Sequence, residues 1–304
     1  IELLESEGVF IEKSDDYYEK YLPCETSRIR EYVKVQDGCD NFCSYCIIPY
    51  LRGRSRSRKI ENVIREIEAL SPAEAVITGI NISSYNDDGK GLNELIAALD
   101  EKAAEFNDII KMGRTQLEDA VPIRLGQEFA AYSSCISRCL RLIGKAEAEM
   151  HSLNLGGTAI GTAINVKKAY LKNIVPELAE ITGYELNQAE NLIDATQNLD
   201  GFVFVSGALK TLAVSLSKMC NDLRLLSSGP KTGLEEIILP AMQNGSSIMP
   251  GKVNPVIPEV VTQVAFAVIG NDTTITLAAE AGQLELNAVE PVVFYKLFES
   301  LTCM

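Results

Sequence analysis

The chain has a single histidine, His151, and little positive charge: 28 Lys and Arg stand against 42 Asp and Glu, a net charge of −14. The acidic balance argues against nonspecific nucleic-acid binding by the surface as a whole, while leaving room for a local basic patch. No apolar run approaches the roughly 20 residues of a membrane span. The N-terminus lacks the basic and apolar stretches of a secretory signal. Eight cysteines in 304 residues do not make a disulfide scaffold. Three are clustered and five scattered, which fits a reducing, cytoplasmic setting. There is no internal repeat and no low-complexity tract. His151 sits near a predicted helix end and is read as solvent-facing. Ile1 in place of Met suggests a fragment or a processed start.

What is present is the composition of a globular protein, 46% hydrophobic and 23% charged, in a chain long enough for one large or two ordinary domains. Residues 1–29 read as an irregular acidic lead-in. Glu31–Val35 alternates like a strand, Ile60–Leu70 places Ile60, Val63, Ile64, Ile67 and Leu70 on one helical face, and Ala75–Thr78 is a short apolar strand. Strand, loop, helix, strand is the opening of a parallel α/β unit. From Gly91 one apolar stripe runs through Leu92, Leu95, Ile96, Leu99, Ala103, Phe106, Ile109 and Ile110 without a linker. Long helices are predicted beyond it at 128–149, 163–182, 205–226, 256–269 and 276–286. The predicted architecture is mainly α: a long-helix bundle over 100–304, preceded by a truncated α/β segment over 30–99. Cys135 and Cys139, at helical i, i+4 spacing, are expected in a buried helix seam.

Cys39, Cys43 and Cys46 follow a Cys-x3-Cys-x2-Cys spacing on the loop after the first strand. Three thiolates can hold three irons of a [4Fe–4S] cluster and leave the fourth open. A structural zinc site with Cys24 as a fourth ligand, or a metal-free loop, satisfies the same spacing. Arg52, Arg54, Arg56, Arg58 and Lys59 form a basic run, either a solvated segment or a contact to RNA phosphate. Val35-Gln-Asp-Gly-Cys-Asp-Asn-Phe-Cys-Ser-Tyr-Cys-Ile-Ile-Pro-Tyr50, with Arg52-Gly53 and Thr78-Gly-Ile-Asn81, resembles the radical S-adenosylmethionine tRNA methylthiotransferases. The group acting on threonylcarbamoyl-adenosine is the nearest. That resemblance implies a cluster on Cys39, Cys43 and Cys46, S-adenosylmethionine as cofactor and tRNA contact through Arg52–Lys59. Only the first two strand–helix steps of such a barrel are present.

Gly245-Ser-Ser-Ile-Met-Pro-Gly-Lys-Val-Asn-Pro255 combines glycine and proline hinges, two hydroxyls, a lysine and an asparagine. That composition suits a mobile loop closing over a small anionic substrate. With Lys111-Met-Gly-Arg-Thr-Gln-Leu-Glu-Asp-Ala-Val-Pro122, Asn154-Leu-Gly-Gly-Thr-Ala-Ile-Gly-Thr162 and Gly270-Asn-Asp-Thr-Thr274, it resembles the aspartase/fumarase superfamily, and bacterial aspartate ammonia-lyases within it. The resemblance covers 105–304. It implies elimination of ammonia from aspartate with no redox cofactor: Ser246 as base, Lys252 and Asn254 holding substrate carboxylate, and Thr115 and Gln116 in a second substrate-contacting region. Gly245, Pro250 and Gly251 would set the loop's movement. Gln116, where fumarases carry histidine, favours ammonia release over water. In this family one site is assembled from three subunits of a homotetramer, and two of the bundle's flanking parts are expected to be missing here. The resemblances together describe a fusion of two truncated modules, and an inactive helical assembly protein is the remaining alternative.

Overall fold

The computed structural model describes residues 30–37, 54, 56–59, 62–66, 74–79, 91–243, 245, 248–249 and 251–304. The chain divides into two compact units, Ile1–Lys90 and Gly91–Met304.

In the first unit, β1 (Arg30–Asp37), β2 (Arg56–Ser57) and β3 (Glu74–Gly79) form a sheet in the order β2-β1-β3. β1 and β3 are parallel, β1 and β2 antiparallel, and residues 62–66 are helical. Alternation along β1 sends Val33 and Val35 to one face, where they meet Val63. The basic run needs correction at Arg58. Its side chain is 7% exposed, lies 2.5 Å from the Glu66 carboxylate and donates to the Lys34 carbonyl at 2.9 Å. Arg58 is therefore buried in an ion pair rather than presented to RNA. Arg54 and Lys59 are exposed, and Arg52, Cys24, Cys39, Cys43 and Cys46 lie outside the described residues.

The second unit opens with α1 (Leu92–Glu105), whose start is fixed where the Gly91 N–H donates to the Glu94 carboxylate at 2.7 Å. The Glu94 carboxyl is held below its ordinary value by that bond. Leu92, Leu95, Ile96 and Leu99 pack toward α2 (Leu125–Glu149). The expected stripe does not continue to Ile110. The helix stops at Glu105, and the chain turns into a hairpin of β4 (Ile110–Thr115) and β5 (Glu118–Arg124), leaving Ile109 and Ile110 exposed. Apolar residues at 109 and 110 fit a helical stripe and a strand equally well, so spacing alone does not separate the two.

Gly126 explains how tightly α2 follows. Its N–H donates to the Phe106 carbonyl at 3.0 Å, and a Cβ there would meet the Ala103 carbonyl oxygen at 2.2 Å. Phe106 stacks edge-on against Phe129, centroids 5.1 Å apart. Past α2 come the short strands β6 (Ser152–Leu153) and β7 (Asn187–Gln188), paired in parallel around α3 (Lys168–Thr182), and a single turn, α4 (Asp194–Gln197). His151 is half-buried rather than solvent-facing: its carbonyl accepts the Asn187 N–H at 2.8 Å, which sets its ring 6.2 Å from Tyr184.

α5 (Asp200–Leu226), α6 (Val256–Glu280) and α7 (Glu290–Cys303) complete the bundle. Leu209 and Ala213 of α5 join Ala265, Val268, Ile275, Val293 and Leu297 in one core, while Leu212 and Met219 join Leu125, Phe129 and Ile136 in the other. Cys139 is buried in the α2–α5 seam, 3.4 Å from the Ser215 hydroxyl, and Cys135 is half-buried. α6 is one helix where two were expected. Gly270 costs only about 1 kcal/mol in a helix interior, and the Thr273 and Thr274 hydroxyls bond back to Ile269 and Gly270 carbonyls. Asn287 links the end of α6 to the start of α7, donating to the Ala278 and Ala279 carbonyls and accepting from the Val289 N–H. α5 and α6 have the length and composition of membrane spans, but they pack against each other around buried Asp272, which accepts from Ser206 at 2.8 Å and Lys210 at 2.6 Å.

Gly126→Ala is expected to lower stability by about 1–3 kcal/mol, because the clash is with backbone. Gly144→Ala, on the same helix with open space around it, should instead gain about 0.5–1 kcal/mol. Urea unfolding followed by circular dichroism reads both, and equal midpoints for the two variants would contradict the packing described.

Candidate active site

The hairpin carries the first group of candidate residues at its tip. Thr115 pairs with Glu118, so Gln116 and Leu117 make a two-residue turn. Both have positive φ, 54° and 67°, the mirror-image turn that suits the twist of a hairpin and is usually made by Asn and Gly. Placing Gln and Leu there costs on the order of 1–3 kcal/mol per residue, and such strain is concentrated at functional sites. Thr115 and Gln116 are exposed. Below the tip the register shifts between Met112 and Arg114, and Gly113 is needed because a Cβ would meet the Val121 carbonyl at 2.8 Å.

The second group lies beyond α5. The segment after Leu226 folds back on the helix end: the Glu235 N–H donates to the Ser228 carbonyl and the Glu236 N–H to the Leu226 carbonyl, at 2.9 and 2.8 Å. Gly233 permits this, since a Cβ there would meet the Ser228 carbonyl carbon at 2.2 Å. The returning chain forms one wall of a cleft of about 520 Å³, and Gly251, Lys252, Val253, Asn254 and Pro255 form the other. Gly251 has φ +78°, and a Cβ on Gly245 would sit 3.3 Å from the Lys252 carbonyl. The two ends of the loop are therefore in contact. Lys252 is exposed and Asn254 half-buried, which leaves an ammonium and an amide available to a carboxylate ligand. Ser246 and Pro250 lie outside the described residues.

Thr115 and Gln116 do not line this cleft. What ties their hairpin to it is a charge cluster that the motifs did not single out. Arg114 Nη2 is 2.6 Å from Glu236 Oε1, and Lys111 Nζ is 3.1 Å from Glu236 Oε2 and 3.0 Å from Glu128 Oε1. Glu236 stands between Glu235 and Ile237, both of the cleft wall. Its carboxyl is held below its ordinary value chiefly by the Arg114 hydrogen bond, with Lys111 assisting against the effect of burial. The Arg114 guanidinium is raised in turn by the same bond. In the sequence, the only trace was a pair of cations flanking Gly113; nothing pointed to a carboxylate 122 residues away.

The structure is thus a long-helix bundle whose candidate residues sit on the connections between helices, on a hairpin with strained tip residues and in a loop-built polar cleft. A family model described as Lyase matches residues 70–270, and the chain belongs to this lyase family, the aspartase/fumarase superfamily. It is 54% identical over 234 residues to aspartate ammonia-lyase of Escherichia coli K12, covering 76% of this chain and 49% of that protein. It is 59% identical over 207 residues to aspartate ammonia-lyase of Helicobacter pylori 26695, covering 68% and 44%. Among solved structures, a fumarate lyase:delta crystallin from Brucella melitensis bound to cobalt superposes with a TM-score of 0.68 at 54% identity, over 70% of this chain and 46% of that one. A class II fumarase from Schistosoma mansoni gives 0.65 at 38% identity, over 70% and 47%. The chain thus spans about half the length of the relatives it matches. The family match begins at residue 70 and leaves the cysteine cluster outside it.

The depressed Glu236 pKa fixes a sign. Its stabilising contribution is present above the ordinary carboxylate value of 4.5 and is lost as pH falls through the lower folded value. Urea midpoints measured from pH 7 down to 3 are expected to fall less steeply below about pH 4.5 in Glu236→Gln than in the wild type. Parallel curves would contradict the ion pair.

Proposed function

We propose that the protein belongs to the ammonia-eliminating branch of the superfamily and converts L-aspartate to fumarate and ammonia. The observation that carries this is the placement of Lys252 and Asn254 together on the cleft, in a chain 52–59% identical to aspartate ammonia-lyases. The C3 proton of aspartate is weakly acidic, and its removal builds negative charge on the neighbouring carboxylate. Ser246, acting as its alkoxide, takes the proton and becomes the neutral hydroxyl, and Lys252 and Asn254 meet the carboxylate charge as it grows. The C3 electron pair then forms the C2–C3 double bond as the C2–N bond breaks, and the amine leaves as ammonia. Thr115 and Gln116 supply hydroxyl and amide contacts to the substrate.

In the proposed site these two groups come from different copies. That reading is supported by the absence of Thr115 and Gln116 from the lining of the cleft and by the apolar side chains left exposed on the bundle helices, among them Phe204, Phe266, Leu277 and Phe298. A homotetramer in the cytoplasm is the proposed working form, with residues 100–304 as its lyase domain. Hydration of fumarate is the second reading, favoured by the likeness to the class II fumarase and opposed by Gln116. For residues 30–99 the proposal is a radical S-adenosylmethionine segment with a [4Fe–4S] cluster on Cys39, Cys43 and Cys46. It is supported by their spacing after β1 and by the parallel pairing of β1 with β3.

The purified chain is expected to elute as a tetramer by light scattering and to release fumarate from L-aspartate, followed by ultraviolet absorbance. Ser246→Ala should reduce the rate by about 10²–10⁴-fold. An assembled wild-type chain that is silent with aspartate but active with malate would transfer the reading to fumarase. One silent with both would remove the enzymatic reading.

A further inference from the structure

We propose that Glu236 is a positioning residue that locks the Thr115–Gln116 hairpin to the returning wall of the cleft, the one that faces Lys252 and Asn254, so that hairpin and wall move as a unit. The inference deepens the lyase reading above and rests on it for its catalytic consequence.

Three observations point the same way. The first is convergence: one carboxylate receives both cations of β4, Arg114 at 2.6 Å and Lys111 at 3.1 Å. Lys111 is 8% exposed and is bound at the same time to Glu128 in the first turn of α2. Hairpin, helix and cleft wall therefore meet at one cluster. Burial makes such a cluster costly to leave half-made, because removal of one partner strands the others. The second is adjacency: Arg114 directly precedes Thr115, and Glu236 lies between two residues of the cleft wall. A displacement at Arg114 reaches Thr115 within one peptide unit, and one at Glu236 reaches the cleft lining at Glu235 and Ile237. The third is backbone: Glu235 has φ +46°, a left-handed conformation that a glutamate adopts only when its surroundings impose it. The Glu236 N–H is bonded to the Leu226 carbonyl at 2.8 Å, so the carboxylate is aimed from a fixed base. Two further charged groups lie beside the cluster: Asp119, exposed and 3.8 Å from Arg114 Nε, and Glu235, next to Glu236 in the chain and on the cleft wall.

A salt bridge that merely stabilises the fold would leave the hairpin and the cleft wall free to open separately. A positioning residue couples them, and the full assembled chain distinguishes the two. Amide hydrogen exchange is compared at 112–118 and at 235–241 in wild type, Glu236→Ala, Glu236→Gln and Glu128→Gln, alongside steady-state kinetics with L-aspartate. Glu236→Ala is expected to speed exchange about tenfold or more in both segments together, and to raise KM for aspartate about tenfold with a smaller change in kcat. Glu236→Gln, which keeps an acceptor for Arg114, should recover part of both effects. Glu128→Gln, which touches only Lys111, should leave 235–241 as in wild type. Faster exchange in one segment alone, or in every segment equally, would overturn the proposal. So would unchanged KM and kcat in an assembled, active Glu236→Ala protein. If the wild type makes no fumarate while exchange in the two segments remains coupled through Glu236, the positioning stands and the failure belongs to the lyase reading.

Discussion

The second unit depends on α5 being apolar on two sides. Leu209 and Ala213 face the core shared with α6 and α7, while Leu212 and Met219 face the core shared with α1 and α2. Residues three positions apart on a helix are displaced around its axis enough to serve different neighbours when the stripe is wide. α5, with Ile143 of α2, thereby joins the two cores, and the candidate site residues hang from its ends or from what packs on it. The cleft wall folds back on its C-terminal end at Leu226, and the hairpin is carried by the helix pair packed along its side. The few buried polar groups on this axis are matched: Asp272 on α6 receives both Ser206 and Lys210 of α5. That pairing sets the register of two long helices whose apolar surfaces alone would tolerate sliding.

Long helices were legible because their periodicity persists over many turns. α2, α5 and the first half of α6 read as helical at 128–149, 205–226 and 256–269, where Phe129, Ile136, Leu209, Leu212 and Val268 are buried. The break expected after Ile269 does not form, because helix packing outweighs the low helix propensity of Gly270 and the threonines after it. The hairpin at 110–124 was hidden for a different reason. Ile109 and Ile110 continue a helical stripe by spacing, and the turn residues Gln116 and Leu117 are not turn formers. Only the three-dimensional contacts of Gly113 and Gly126 show why the chain must turn there. His151 and Arg58 were read as facing solvent or ligand because a sequence shows charge and not partners; Tyr184 and Glu66 supply those partners across gaps in the chain.

The candidate site follows the same division. The loop that carries Gly251, Lys252 and Asn254 stood out by local pattern, rich in hinges and polar groups, and the roles expected of Lys252 and Asn254 came from the family resemblance. Thr115 and Gln116 were found only through the family resemblance. The cluster of Lys111, Arg114, Glu128 and Glu236 was not found, because it joins segments far apart in sequence. That cluster ties the hairpin to the returning wall of the cleft. Apolar side chains stand exposed on α5, α6 and α7, and the proposed sharing of a site between copies would reconcile the exposure of Thr115 and Gln116 with a role in binding.

The sharing of the site is tested most directly by complementation. Thr115→Ala and Lys252→Ala chains, each inactive alone, are mixed, dissociated in denaturant and reassembled together before assay with L-aspartate. Sites drawing the two groups from different copies will include wild-type pairings, and activity should return to about a quarter of the wild-type level. A mixture that stays as inactive as its components, beside an active wild-type control treated in the same way, would contradict a site built between chains.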